Sequence, residues 1–121
     1  MNTTNTFLAI FLGSKTSPKM TAWQAMSESE QNAKMQEGLV AWHGWVEKYR
    51  DSIVELGGPL GKTKKINANG TEDVSNAMGG FTVVRADSHE AAAKMFKDHP
   101  HFTIFPGESV EVMPVLPIPT A

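Results

Sequence analysis

The chain has no cysteine. That excludes disulfide staples, thiol nucleophiles and thiolate-bound metals, and it fits a reducing cytoplasm. Neither sign of charge is in excess: eleven Lys and Arg stand against thirteen Asp and Glu, for a net charge of −2 at pH 7. A nucleic-acid partner would require a clustered basic face. The densest basic run, Lys62, Lys64 and Lys65, sits beside a turn signal and reads as a solvated sheet edge. Long apolar runs are missing too. Phe7 to Leu12 has neither the basic lead nor the length of a secretion signal, and it is too short to span a membrane. The sequons Asn2-Thr3-Thr4 and Asn69-Gly70-Thr71 are accordingly read as chance matches.

What remains is ordinary globular material. With 121 residues, 40% hydrophobic and 20% charged, the expectation is a single domain over 1–121 with its core over about 6–118. A domain of this size buries roughly two-thirds of the surface its unfolded chain exposes, so it needs no staple.

Hydrophobic spacing then divides the chain. Phe7 to Leu12 reads as a buried strand. Met20, Trp23 and Met26 recur at helical spacing, enough for a short turn. Ser27 and Glu30 have capping-box spacing, and behind them Met35, Leu39, Trp42, Val46 and Tyr49 form one stripe, which predicts a helix from about 28 to 50. Gly38 and Gly44 interrupt it, each at about 1 kcal/mol relative to alanine; Gly38 lies where a missing side chain allows close helix–sheet approach. Ser52 to Leu60 reads as a strand broken late by Gly57-Gly58-Pro59. Asn69-Gly70 marks a small hairpin. Gly79 to Ala86 is a further strand, and Asp87 or Ser88 caps a second helix whose apolar face is Ala92, Met95 and Phe96. Pro100 ends that helix near Lys97. Ser109 to Val115 is the last strand, followed by a Pro-rich tail.

This order predicts an α+β, ferredoxin-like βαββαβ sheet, with two helices on one face and a small extra hairpin. The open face then needs cover, and pairing with a second copy as a homodimer is the simplest way to supply it.

Several segments, taken in order, resemble the YCII-related (DGPF-type) family. They are Leu56-Gly57-Gly58-Pro59-Leu60-Gly61, Gly79-Gly80-Phe81-Thr82-Val83-Val84, Ala86-Asp87-Ser88-His89-Glu90-Ala91, Asp98-His99-Pro100-His101 and Ser109-Val110-Glu111-Val112. Trp42 and Trp45 around His43-Gly44 look like that family's first-helix pattern. The resemblance spans roughly residues 6 to 118 and implies a dimeric α/β barrel of ferredoxin-like subunits. Some members resemble small-molecule enzymes, and a His–Asp pair has been suggested as catalytic in part of the family. This chain has His99-Pro100 where the family often has Asp-Pro. Its Ala41 falls near the place of the first-helix histidine, and Thr71 to Asn76 stand where the Asp-Gly-Pro-Phe motif occurs. The resemblance therefore implies the fold and the dimer and carries no mechanism across.

The candidate site is read from the residues themselves. His99 and His101 flank Pro100 in what should be an extended loop, where residues two apart point the same way. Both imidazoles then face one cavity, poised as acid or base. The bland reading is that they cap the helix end. Asp98 either orients one of them or is a surface charge. Spacing fixes no third ligand beyond the two histidines, with Glu108 and Asp98 both open, so no metal is assigned. Gly57-Gly58-Pro59 lacks the signature of a phosphate loop, and no cofactor is assigned. His43 lies at the border of the helix stripe, near a pocket or paired with Glu47. Trp42 lies inside the stripe and reads as core. Trp45, on the flank, is placed to line a pocket or dimer seam. Arg85, at a strand end, is either an anion contact or a plain surface charge. His89 reads as surface.

Two functions fit. One is a small-molecule enzyme without a cofactor, with His99 as acid or base in a pocket between helices and sheet. The other is a non-catalytic metabolite-binding or regulatory homodimer.

Overall fold

The computed structural model describes residues 5–120, so the sequon at Asn2 lies outside the described residues. Strand β1, Thr6–Leu12, alternates as its sequence demands: Phe7, Ala9 and Phe11 are buried on one face while Leu8, Ile10 and Leu12 lie half-buried on the other. It forms the centre of the main sheet together with β5, Met78–Arg85, flanked by β2, Ile53–Pro59, and β6, Ser109–Pro114. The spatial order is β2-β5-β1-β6, and every neighbouring pair is antiparallel. This is the ferredoxin-like arrangement expected from the order of elements. A separate two-stranded sheet, β3, Thr63–Asn67, with β4, Gly70–Val74, is the expected extra hairpin. Its two-residue loop is Ala68-Asn69 rather than Asn69-Gly70, because the Asn67 side chain accepts from the Asn69 N–H at 2.8 Å and closes the turn one residue early.

Helix α2, Glu28–Lys48, begins at the anticipated capping box, with both reciprocal hydrogen bonds between Ser27 and Glu30 at 3.1 Å. The Ser27 backbone N–H, then its hydroxyl, hold the Glu30 carboxyl below its ordinary pKa. The buried face differs from the predicted stripe. Met35 and Leu39 are 43% and 42% exposed, whereas Gly38 and Trp45 are buried. A 21-residue helix is about 31 Å long, and seven-residue strands reach only about 23 Å, so part of α2 overhangs the sheet. Trp45, expected on the flank, is core at 8% exposure; Trp42, expected as core, is half-buried.

Three further helices complete the cover. Helix α1, Pro18–Ala25, is capped by Ser17, begins with proline and has no buried residue. Helix α3, His89–Lys94, is capped by Ser88. Helix α4, Pro100–Thr103, is a single turn. The core beneath them is Phe7, Ala9, Phe11, Trp45, Val84, Ala92, Met95 and Phe96. Late in β2, Gly57 has φ +67°, and a Cβ there would stand 2.1 Å from the Phe81 carbonyl oxygen. The bulge therefore requires glycine. The buried Thr82 hydroxyl donates to the neighbouring Leu56 carbonyl at 2.7 Å. Among the described residues, no helix is long and apolar enough to cross a membrane.

Candidate functional site

The site forms where the chain leaves α3 and turns into α4. Asp98 has φ +55°, the one non-glycine residue with positive φ among those described. Aspartate tolerates this left-handed conformation better than most residues. The turn swings His99 inward, and the residues after it are helical rather than extended. Pro100 occupies the first position of α4, where its missing N–H is harmless, and His99 becomes the N-cap. Its Nδ1 accepts the His101 backbone N–H at 3.0 Å. The two side chains still converge on the end of β1, through the helical turn instead of an extended pair.

His99 is 1% exposed. Four rings enclose it: Trp42 at 4.5 Å and Trp45 at 4.9 Å, both edge-to-face, with Phe11 at 5.2 Å and Phe96 at 5.7 Å. Because Nδ1 accepts a hydrogen bond, the neutral ring carries its proton on Nε2. That Nε2 is buried and has no hydrogen-bond partner. Burial first, then the nearby His101, push the His99 pKa down from 6.5 to about 4. At neutral pH the site therefore holds an uncharged N–H donor with nothing to donate to, a costly arrangement for a buried polar group.

His101 is finished where His99 is not. Its Nε2 lies 2.8 Å from the Leu12 carbonyl oxygen, which only accepts, so this ring too carries its proton on Nε2. Burial lowers its pKa, and the charge of Lys19 adds to that; the Leu12 and Ser109 backbone groups oppose it. The ring fits because residue 107 is glycine: a Cβ there would lie 2.2 Å from His101 Cε1. Trp45 donates to the Met95 carbonyl at 2.6 Å, which satisfies the indole and pins α2 to the end of α3.

The remaining candidates are not brought to this point. His43 and Arg85 are exposed, and so is Asp98, whose contribution is its backbone conformation. Glu47 pairs with Arg50 rather than with His43. His89 stacks on Phe7 at 5.5 Å and its Nε2 reaches the Val112 carbonyl at 2.8 Å. Among the described residues, no three His, Cys, Asp or Glu side chains gather as a metal-ligand set.

Reading the sequence missed one contributor, Phe105, and gave another, Gly38, the wrong neighbour. Gly38 lies against the Phe105 ring, not against the sheet: a Cβ would stand 2.5 Å from Phe105 Cε2 and Cζ. Phe105 in turn covers Trp42 at 6.0 Å and meets Trp23 at 6.3 Å. Periodicity carried no signal for Phe105, which lies in an irregular loop. Position near the stripe points to Gly38 but to the sheet as its neighbour, where the structure has Phe105. Two shallow clefts flank the site, and His99 lines neither. One, about 360 Å³, runs between α3, the Phe102 turn and β6. The other, about 340 Å³, lies between α1 and Phe102–Pro106.

By sequence, no family model matches the chain, and no curated protein matches it. By structure it is similar to 5-chloro-2-hydroxyhydroquinone dehydrochlorinase from Burkholderia phenoliruptrix AC1100, solved in complex with 2,5-dihydroxybenzoquinone. The TM-score is 0.52 and the identity 16%, over 89% of this chain and 90% of that one. The likeness establishes a shared fold.

Proposed function

We propose that this protein is a small-molecule enzyme that works without an organic cofactor and transfers protons at His99. One observation carries the reading: a fully buried imidazole in an aromatic box, its Nε2–H unpartnered. A flat ring bearing an oxygen would satisfy both halves of that environment. Its π-face would pack against Trp42 and Phe11, and its oxygen would accept the Nε2–H. With nothing bound the ring is a weak base, because its pKa is about 4. An anionic oxygen entering the box would raise that pKa: Nδ1 takes up a proton as it gives up the His101 N–H, and Nε2 passes its own proton to the oxygen, which leaves the neutral ring protonated on Nδ1. Isomerisation and elimination are the reaction types that need only this.

The dehydrochlorinase of the same fold acts, by its name, on a chlorinated hydroxyhydroquinone, a ligand class that suits the box. The test is to offer 5-chloro-2-hydroxyhydroquinone and related hydroquinones and to follow chloride release and quinone absorbance. Turnover in the wild type that falls at least a hundredfold in His99→Asn supports the reading. Equal rates in both proteins would remove His99 from the chemistry.

A second reading, a non-catalytic metabolite binder, draws on the absence of any carboxylate contact to either histidine among the described residues. It predicts saturable binding with no change in ligand mass.

The same proposal includes a cytoplasmic homodimer of the YCII-related type, with the open sheet faces packed together. Its support is the apolar character of that face: Leu8, Ile10, Phe81 and Val83 are half-buried and Met113 is exposed. Their strands hold them in register, with Leu8 beside Val83 and Met113 and Ile10 beside Phe81. Apolar faces of this kind, here rimmed by the exposed Glu111 beside Ile10, are where protein interfaces form.

A further inference from the structure

Access to His99 is the difficulty that the proposed function leaves standing. The ring is sealed by Trp42, Trp45, Phe11 and Phe96, and Phe105 packs one layer further out, on Trp42. The Phe105 ring occupies a notch in α2 that exists because Gly38 has no side chain. From there it covers the outer side of Trp42, which itself stands edge-on to His99. Outside Phe105 lies the 340 Å³ cleft lined by Lys19, Ala22, Trp23 and Met26 of the α1 segment and by Phe102–Pro106. That volume is at the lower end of small-molecule sites. The roof of the cleft, α1, has no buried residue. It is held to the body by Lys19 Nζ, which donates to the carbonyls of Phe102 at 2.7 Å and Gly107 at 3.2 Å, by the Gln31 amide on the Trp23 carbonyl at 2.8 Å, and by the Trp23–Phe105 ring contact.

We infer that Phe105 is the gate and specificity-determining residue of the His99 site, its ring holding the place that a small, flat, oxygen-bearing aromatic molecule takes when it binds. The cleft beneath α1 is the vestibule. A ring entering it displaces Phe105 from the Gly38 notch and stacks where Phe105 was, and Trp42, freed on its outer side, turns to expose the Nε2–H. Selectivity follows from the notch: it is a ring-sized slot in a helix, open to planar groups and closed to branched aliphatic ones. This rests on the proposed function for what His99 does next, but the gate itself is a statement about binding.

The incoming ring and the protein's own ring compete for one place, so apparent affinity scales with the fraction of molecules in which Phe105 is out. The probe is phenol, titrated into wild type, Phe105→Ala and Gly38→Ala while the indole N–H and imidazole signals are followed by NMR. Gly38→Ala puts a Cβ in the notch, which excludes the Phe105 ring and an incoming ring alike, and it places a better helix former in α2. It therefore serves even if Phe105→Ala fails to fold. The expected result is at least tenfold tighter phenol binding in Phe105→Ala, with shifts at Trp42 and His99, and loss of those shifts in Gly38→Ala, where the notch is filled. Equal affinity in all three proteins would overturn the gate. So would shifts confined to Trp23, which would place phenol in the outer cleft alone. If phenol binding tightens as expected but no hydroquinone is turned over, the gate stands and the enzymatic reading falls. Turnover with unchanged phenol affinity has the opposite meaning.

Discussion

Acid should unfold this protein through His99. The ring is 1% exposed, and burial holds its pKa at about 4 in the native state, against an ordinary 6.5. Between those values the unfolded chain binds more protons than the native one, so stability rises with pH across the window. The contribution is fully present above about pH 6.5 and is lost as pH falls toward about 4. At about 1.36 kcal/mol per pKa unit, the limit is roughly 3 kcal/mol, of which about 2 kcal/mol is gone by about pH 5. His101, also lowered by burial, acts in the same direction. Against a total stability of about 5–15 kcal/mol, the loss is large. The assay is urea unfolding at constant ionic strength from about pH 7 to about pH 5, on wild type and His99→Asn. Asparagine keeps an N-cap acceptor for the His101 N–H and has no proton to take up. The variant should be less stable at neutral pH, because the smaller side chain leaves a cavity, yet flatter in its pH dependence by most of the 2 kcal/mol. Equal slopes in the two proteins would refute the claim that a buried neutral imidazole governs acid stability.

Other outcomes follow from single features. Asp98→Gly should be neutral or stabilising by up to about 1 kcal/mol, and Asp98→Val destabilising by about 1–2 kcal/mol, because φ is +55° there; thermal melts that rank them otherwise would count against the turn. Gly107→Ala should cost about 1–3 kcal/mol by driving His101 off the Leu12 carbonyl, visible as loss of its shifted imidazole signal. Trp45→Phe keeps a ring in the core but strands the Met95 carbonyl, for about 1–3 kcal/mol by denaturant melt. Ile10→Glu, on the open sheet face, should leave monomers in sedimentation runs where the wild type sediments as a dimer; a wild-type monomer would dispose of the dimer outright.

Local chemistry alone determined most of the architecture. The capping box at Ser27 and Glu30 set the start of α2 because both of its hydrogen bonds are made within four residues. Alternation in Phe7–Leu12 oriented β1, since side chains in a strand change face at each step. Ser88 capped α3, though that helix stops at Lys94, short of the end near Lys97 that Pro100 suggested, and the order of elements then left the ferredoxin-like sheet as the expected topology. Sequence also singled out His99 and His101 as the pair to follow. Tertiary structure decided how they are used. The left-handed turn at Asp98 converted an expected extended loop into a capped helical turn, and the fate of each imidazole nitrogen depends on carbonyls and amides that meet only on folding. Which tryptophan is core was likewise a matter of how far a long helix overhangs a short sheet, a mismatch that periodicity does not encode. Phe105 on Gly38 joins positions 67 residues apart. Spacing along the chain carries no trace of such a contact, because it arises from the path of a loop and not from the period of any element.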